Sequence, residues 1–389
     1  MREISNNALN IEGQPMFKVI DKVKRLEAQG KNIVHLEIGD PDFGTPQNII
    51  DAAKSSLDRG ETHYVSSWGM TDFVETIQQT TKRSRGFLPD VDQVLVTPSA
   101  NIAIFYAVFC LSNPGQEVLV PDPGFPTYLS AIRMCGAVPV PFPLYEKNAF
   151  RMRAADIEPL ITDKTRLLII NSPQNPTGAI TEPEAIREIY ELAVKYDLYV
   201  YSDEIYSRMV YGEKSFFSIA SLDKCQERVI LSNGFSKAFA MTGWRLGALV
   251  MPPEVAERMM LLLQTTSSCV APFIQRAGIE AINGDQSAVQ VMMDEYQTRR
   301  DLLVDGLNQI PGISCHLPGG AFYAFPKISS FGMTSEIFTD VMLERAGVAM
   351  LAGSCFGNQG EGFVRLCYAT SRANITEAIS RITQACKTL

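Results

Sequence analysis

Residues 228–245 read Arg228-Val-Ile-Leu-Ser-Asn-Gly-Phe-Ser-Lys237-Ala-Phe-Ala-Met-Thr-Gly-Trp-Arg245, an apolar run that breaks into small and polar residues around one lysine. Lys237 is the predicted reactive residue, because a lysine in a confined, partly desolvated site has an accessible neutral amine that forms a Schiff base with a carbonyl. Gly234 lets backbone approach a ligand closely, Ser236 offers a hydroxyl, and Arg245 offers a planar fork for phosphate. This combination suits a phosphorylated aldehyde.

Two other interpretations of the same stretch are open. A lysine picked at random is most often a solvated surface residue. Gly234-Phe-Ser236-Lys-Ala238 also comes close to the Gly-x-Ser-x-Gly elbow of serine hydrolases. The last glycine of that elbow is missing, and no histidine stands in a setting that marks it as a base; the three are His35, His63 and His316.

The segment Ser232–Arg245 resembles the cofactor-lysine segment of class I and II aminotransferases, the fold-type I enzymes that use pyridoxal 5'-phosphate. The resemblance extends over essentially the whole chain. It implies that Lys237 holds the cofactor as an internal aldimine, is displaced by the substrate amine, and then moves the α-proton as a base. The implied activity is transamination, in which an amino group moves from an α-amino acid to a 2-oxo acid by a ping-pong mechanism.

Polar residues follow two predicted buried strands. Asn171-Ser-Pro-Gln-Asn175-Pro-Thr-Gly178 comes after the apolar run 166–170, and Asp203-Glu-Ile-Tyr206 comes after 198–202. Ligands bind at the carboxyl ends of strands in doubly wound sheets. A buried carboxylate needs a partner, so Asp203 would face the protonated ring nitrogen of the cofactor. The resemblance assigns Tyr206 and Asn175 to its phenolic oxygen, although Asp203 taken alone could also cap a helix.

A phosphate site is expected where the strand 94–97 turns through Pro98-Ser99-Ala100-Asn101 into the apolar helix 102–111. The N-terminus of a helix presents free N–H groups and a positive partial charge to an anion. No glycine-rich fingerprint is present. With the resemblance, we expect the cofactor phosphate to contact Ser99, Ala100, Asn101, Ser236 and Arg245.

Further positions follow from the resemblance. Phe125 would lie against the pyridine face, and Gly39 would line the substrate pocket. Tyr64, in Tyr64-Val-Ser-Ser-Trp68-Gly69, would reach the cofactor phosphate of a neighbouring subunit, which implies a homodimer. Phe125 and Tyr64 could equally be packing residues. Trp68 is expected to shape the substrate pocket.

Arg365 lies in the apolar run 363–366. A guanidinium in such a strand needs an anion, and its fork binds a carboxylate bidentately. An internal ion pair fits the composition equally well, and the resemblance favours the α-carboxylate of the substrate. Members selective for acidic substrates place an extra basic residue near the phosphate turn or on the partner chain. This chain continues the turn with Asn101 and Ile102, so aspartate is not expected to be the favoured donor.

Alternating strand and helix patterns between about residues 94 and 250 predict an α/β fold with a mostly parallel, doubly wound sheet, as in fold-type I pyridoxal-phosphate transferases. We expect a large cofactor-binding domain, 46–286, and a smaller α+β domain formed by 1–45 and 287–389. Thr181 and Glu184 predict a capping box at the start of one helix.

Composition narrows the class of protein. The net charge of −8 argues against nucleic acid or an anionic membrane as the main partner. The longest apolar run, 102–111, is too short to span a bilayer, and the opening residues lack an apolar signal segment, so a cytoplasmic location is expected. The eight cysteines show no C-x-x-C pair and no zinc spacing, so neither a metal nor a disulfide framework is expected.

Two other functions are compatible with these motifs. A lyase, decarboxylase or replacement enzyme on the same fold would use the same cofactor site. A non-catalytic sensing domain of a regulator is a further alternative, but no basic DNA-binding segment is attached to the chain.

Overall fold

The computed structural model describes residues 3–9, 11, 13 and 15–389. The α-helices in this part of the chain are α1 (Asn6–Leu9), α2 (Pro15–Ala28), α3 (Gln47–Asp58), α4 (Thr71–Arg85), α5 (Ala100–Leu111), α6 (Thr127–Met134), α7 (Ala154–Ile157), α8 (Pro183–Lys195), α9 (Ala220–Asp223), α10 (Pro253–Ser267), α11 (Pro272–Asn283), α12 (Ser287–Asn308), α13 (Ser335–Val341) and α14 (Arg372–Cys386). The strands are β1 (Val34–His35), β2 (Val94–Thr97), β3 (Glu117–Asp122), β4 (Val138–Pro143), β5 (Thr165–Asn171), β6 (Tyr199–Asp203), β7 (Val229–Gly234), β8 (Gly247–Val250), β9 (Tyr323–Ala324), β10 (Val348–Ala349), β11 (Leu351–Ala352) and β12 (Val364–Cys367). In this part of the chain, no helix combines the length and the hydrophobicity that a membrane span requires.

The central sheet has seven strands in the order β2-β8-β7-β6-β5-β3-β4. Strand β8 runs antiparallel to both of its neighbours, and the other pairs are parallel. The central strands of the sheet carry unbroken apolar runs because hydrophobic clusters cover both of its faces. The predicted α/β fold with a mostly parallel sheet is therefore confirmed.

The parallel strands bring the predicted polar residues to one edge of the sheet. Asn171 at the end of β5 lies opposite Asp203 at the end of β6, and Asp203 lies opposite Ser232 in β7. Strands in register end at the same edge, so residues that are about thirty positions apart in sequence become neighbours.

A second group of strands carries the late arginine. Strands β11, β12 and β9 form an antiparallel sheet with β12 in the middle, and β1 pairs with β10 in parallel. Their hydrophobic core joins Leu36 to residues of α12, β12 and α14, and it also includes Tyr206 and Met209. The division into 46–286 and 1–45 with 287–389 stays a prediction.

The predicted capping box at Thr181 is wrong. Helix α8 begins at Pro183, and its N-cap residue is Glu182, which makes no side-chain cap. The Thr181 hydroxyl instead accepts a hydrogen bond of 3.3 Å from the backbone N–H of Met152. A tertiary contact has taken the side chain that the local pattern assigned to the helix end.

Candidate active site

A cavity of about 430 Å³ opens at the carboxyl edge of the central sheet. It is lined by the predicted site residues Gly39, Ser99, Ala100, Asn101, Phe125, Asn175, Asp203, Tyr206, Ser236, Lys237, Arg245 and Arg365. The fold therefore collects into one cavity side chains that are spread over more than three hundred positions of sequence.

Lys237 follows β7 and extends its amine into this cavity. Its Nζ donates a hydrogen bond of 2.5 Å to the carbonyl oxygen of Gly39. Burial lowers the pKa of Lys237 to about 8; the Asp40 carboxylate opposes that shift, and the cations Arg365 and Arg245 add to it. The neutral, nucleophilic amine is thus accessible near physiological pH.

Asp203 presents a buried carboxylate, 6% exposed, at the end of β6. Its Oδ2 accepts from the Tyr128 hydroxyl at 2.7 Å, and its Oδ1 accepts from the Ile205 N–H at 3.3 Å. Burial raises the pKa of Asp203 to about 6, against the hydrogen bonds from Tyr128 and Ile205. In the described chain the carboxylate has no salt bridge, so a cationic ligand in the cavity would relieve its desolvation.

The turn between β2 and α5 forms the anion end of the cavity. Ser99 is the N-cap of α5, where its hydroxyl accepts from the Ile102 N–H at 3.4 Å, and its φ of 106° lies in the region that favours glycine. Strand β8 packs tightly behind this turn, because a Cβ added to Gly247 would lie 2.6 Å from the Ala100 nitrogen. Free N–H groups at the start of α5 and an exposed Arg245, which makes no salt bridge in the described chain, are suited to a phosphate.

Arg365 in β12 is 3% exposed, and each end of its guanidinium has a different partner. Its Nη2 donates to the carbonyl oxygen of Glu37 at 2.6 Å, and its Nη1 donates to Asn175 Oδ1 at 3.2 Å. Its Nε is buried without a hydrogen-bond partner in the described chain. Within the described chain, no carboxylate forms a salt bridge with this guanidinium, so its positive charge is available to an anionic ligand.

A chain of amide and carbonyl contacts holds the strand ends together. Asn171 Nδ2 donates to the Asp203 carbonyl oxygen at 2.9 Å, and Asn171 Oδ1 accepts from the Asn175 N–H at 2.9 Å. Asn175 is thereby positioned beside Arg365. The Tyr206 hydroxyl is 2.8 Å from that of Tyr323.

Two predicted residues lie outside the cavity of their own chain. Tyr64 is 87% exposed, and Trp68 is partly buried against the core that contains α5. Tyr64 was expected to act in a neighbouring subunit, so a single chain does not test its role. The roles of both residues stay predictions.

Several lining residues were not predicted from the sequence. Tyr128 and Tyr323 lie in apolar surroundings where a packing role is the ordinary interpretation of an aromatic residue. Met16 and Phe17 come from α2, and Ile38 precedes Gly39. Among these residues, only Ile38 could have been inferred from the sequence, because it lies beside the glycine-bearing turn.

Comparison with known proteins identifies the family. Residues 31–382 match the model of aminotransferase class I and II. The chain belongs to the class I and II aminotransferase family. It is 41% identical over 366 residues to an aspartate aminotransferase of Pyrococcus abyssi, which covers 93% of this chain and 94% of the relative.

Two further relatives are similarly complete. Aromatic-amino-acid aminotransferase 2 of Thermococcus litoralis is 41% identical over 364 residues, covering 92% of this chain and 93% of the relative. The solved structure of an alanine aminotransferase from Pyrococcus furiosus matches with a TM-score of 0.95 at 33% identity, covering 100% of both chains. This aminotransferase therefore uses pyridoxal phosphate and transfers amino groups, as the resemblance implied.

The residues of this aminotransferase fit its cofactor on chemical grounds. A lysine amine with a lowered pKa suits an aldehyde, and a buried carboxylate without a salt bridge suits a protonated ring nitrogen. The turn at Ser99, together with Arg245, suits the phosphate. The cavity thus offers a complementary group to each reactive part of pyridoxal phosphate.

Proposed function

We propose that this aminotransferase holds pyridoxal phosphate through Lys237, Asp203 and the turn at Ser99, and binds the α-carboxylate of its substrate through Arg365. The observation that carries the proposal is the pairing in one cavity of a lysine whose pKa is lowered to about 8 with a buried arginine whose Nε has no partner among the described residues. The remaining predicted contacts with the cofactor are Ala100, Asn101, Phe125, Asn175, Tyr206, Ser236 and Arg245.

When bound, pyridoxal phosphate supplies an aldehyde that bonds covalently to amines and a ring that accepts electrons from the α-carbon. Lys237 Nζ would hold the cofactor, and its neutral amine would take the α-proton of the substrate. The negative charge of Asp203 would keep the ring nitrogen protonated. Arg365 fixes the α-carboxylate, which orients the bond to the α-hydrogen toward Lys237.

The substrate side chain is proposed to be neutral. The cavity has an apolar wall formed by Met16, Phe17 and Ile38, which favours binding of an apolar substrate side chain. The cations that line the cavity in the described chain are Lys237, Arg245 and Arg365, and each has another role in this proposal. The similar proteins are named as aminotransferases of aspartate, of aromatic amino acids or of alanine, so these names alone do not decide the substrate.

A homodimer in the cytoplasm completes the proposal. The exposed ring of Tyr64 supports a partner, because an aromatic residue that is 87% exposed has little to pack against in its own chain. The eight free cysteines support a reducing compartment.

Mixing inactive Lys237→Ala and Tyr64→Ala subunits tests the shared site: a mixed dimer would contain one intact site and regain activity. Failure to regain activity, with dimers present by light scattering, would contradict the shared site.

The visible absorption of the purified enzyme tests the function. We expect the band of the bound cofactor to disappear with a neutral amino acid and to return when a 2-oxo acid is added, and a panel of amino acids identifies the donor. A faster response to aspartate than to neutral or aromatic amino acids would contradict the proposed substrate class. A band that responds to amino acids but never returns would favour a lyase or decarboxylase.

A further inference from the structure

Tyr323 is a cavity residue for which the sequence offered no role. It lies on β9, is 2% exposed, and contacts two proposed site residues at once. Its hydroxyl is 2.8 Å from the Tyr206 hydroxyl, and the Cζ of Arg365 is 4.5 Å from its ring centroid. Tyr323 therefore lies between the proposed carboxylate site and the proposed contact with the phenolic oxygen.

The position of the Tyr323 hydroxyl is determined by packing on several sides. Its ring meets the Tyr206 ring edge-on, with centroids 5.8 Å apart, and packs on Phe322 at 4.9 Å. A Cβ added to Gly39 would lie 2.3 Å from the hydroxyl oxygen, so the glycine leaves the space that this oxygen occupies. Little freedom remains for the hydroxyl to move away from Tyr206.

The contact between the Tyr206 and Tyr323 hydroxyls can use only one of their two hydrogens. Burial, followed by the neighbouring hydroxyl, raises the pKa of Tyr206 well above its ordinary range, and burial also raises the pKa of Tyr323, so both hydroxyls keep their protons. Their mutual contact is the only hydrogen bond that the described chain gives to either hydroxyl. Only one hydrogen can lie between the two oxygens, so the other is free to be donated into the cavity.

The proposed function decides which hydrogen is free. If Tyr206 donates to the phenolic oxygen of the cofactor, its oxygen must accept the hydrogen of Tyr323. We propose that Tyr323 is a positioning residue, which donates to Tyr206 and so directs the Tyr206 hydrogen toward the cofactor. This inference rests on the proposed role of Tyr206. A donor whose own oxygen accepts a hydrogen bond is polarised and donates more strongly.

The experiment is a pH titration of the visible band of the cofactor-loaded enzyme, with wild type compared with Tyr323→Phe. The variant removes one oxygen and keeps the ring against Arg365. A weaker donor at the phenolic oxygen stabilises the deprotonated cofactor less, so the pH midpoint of the band should rise by about 0.5 to 1 unit, the scale of one hydrogen bond. The KM for the amino acid should stay near that of wild type while kcat falls.

Tyr206→Phe and the double variant separate this inference from the proposed function. Because Tyr323 acts through Tyr206, adding Tyr323→Phe to Tyr206→Phe should not move the midpoint further. No shift in Tyr206→Phe would overturn the proposed role of Tyr206. A shift in Tyr206→Phe without one in Tyr323→Phe, or additive shifts in the double variant, would overturn the positioning role alone.

Tyr368→Phe is the matched control. Tyr368 is 0% exposed, and its hydroxyl donates to the Ala321 carbonyl oxygen at 3.1 Å rather than to a group in the cavity. Its removal should leave the midpoint unchanged. An equal shift in this control would show that the titration reports general loosening of the core, and it would overturn the role of Tyr323.

Discussion

The Lys237 amine donates a hydrogen bond of 2.5 Å to the carbonyl oxygen of Gly39, a residue 198 positions earlier in the chain. This contact joins the segment after β7 to the N-terminal segment that also holds Arg365 through Glu37. The proposed cofactor lysine and the proposed substrate arginine are thus positioned by the same stretch, residues 37–39. Changes in that stretch should affect both binding steps.

The lowered pKa of Lys237 should be measurable in the cofactor-free enzyme. Burial lowers it from 10.5 to about 8, so the amine should lose its proton around pH 8, well before a lysine with the ordinary pKa of 10.5 does. Reductive ¹³C-methylation followed by an NMR titration should give, besides the α-amino group with its ordinary pKa of about 8, an early-titrating signal that is missing in Lys237→Arg. A signal that titrates with the bulk of the lysines would contradict the desolvated amine.

Gly39→Ala should disturb the site through Tyr323. The new methyl group would meet the Tyr323 hydroxyl oxygen at 2.3 Å, so one of the two must shift. We expect a loss of about 1 to 3 kcal/mol in the free energy of unfolding, the usual cost of overpacking, and a higher KM for the amino acid. Gly44→Ala is the control, since an added Cβ there meets nothing within 4 Å. Equal effects of the two substitutions would contradict this explanation.

Asp203→Asn should have opposite effects on the cofactor-free and cofactor-loaded proteins. Burial raises the pKa of Asp203 from 3.8 to about 6. The ionised carboxylate therefore destabilises the cofactor-free fold fully above about pH 6 and not at all below pH 3.8. At pH 8 the amide should therefore stabilise the cofactor-free protein by up to about 3 kcal/mol, from 1.36 kcal/mol per pKa unit. With cofactor it should weaken binding and lower kcat, because the ring nitrogen loses its negative partner. Thermal unfolding with and without cofactor measures both effects; a destabilised cofactor-free variant would contradict the sign.

Arg365→Lys should lower kcat/KM for amino acids. The expected loss of transition-state stabilisation is about 2 to 5 kcal/mol, the range for breaking a buried charge pair. One ammonium group cannot donate to Glu37 and Asn175 and also bind a carboxylate in the geometry of the guanidinium. Arg372→Lys is the control, because Arg372 pairs with Glu295 at the surface. An unchanged kcat/KM in Arg365→Lys would show that the carboxylate binds elsewhere.

His35 should make the stability depend on pH. Its ring contacts Glu37 at 2.8 Å and Glu27 at 3.0 Å, and the hydrogen bond with Glu37 is the largest cause that raises its pKa from 6.5 to about 9. A raised pKa means that this stabilisation is fully present below pH 6.5 and is lost as pH rises through about 9. The difference in unfolding temperature between wild type and His35→Gln should shrink across that window. A difference that stays constant across that window would contradict the prediction.

The family and the type of fold were predictable from the sequence because they depend on local patterns. Apolar runs followed by Asn171–Gly178 and by Asp203–Tyr206 predict strands with ligands at their carboxyl ends, and the residues around Lys237 carry a specific chemical signature. Both features are complete within a few residues of chain. The failed capping box at Thr181 shows the limit of such patterns, because a contact with Met152 from outside the helix decided the outcome.

Only the tertiary structure decided which groups meet. Tyr323 and Tyr206 are 117 positions apart, and Arg365 and Glu37 are 328 positions apart, yet each pair is joined by a hydrogen bond. Sequence alone determined which residues have the chemistry to hold a phosphorylated aldehyde. The apolar packing that buries Lys237, Asp203 and Arg365 decided how that chemistry is tuned, because desolvation and the free hydrogen-bonding positions arise only when distant segments close around them.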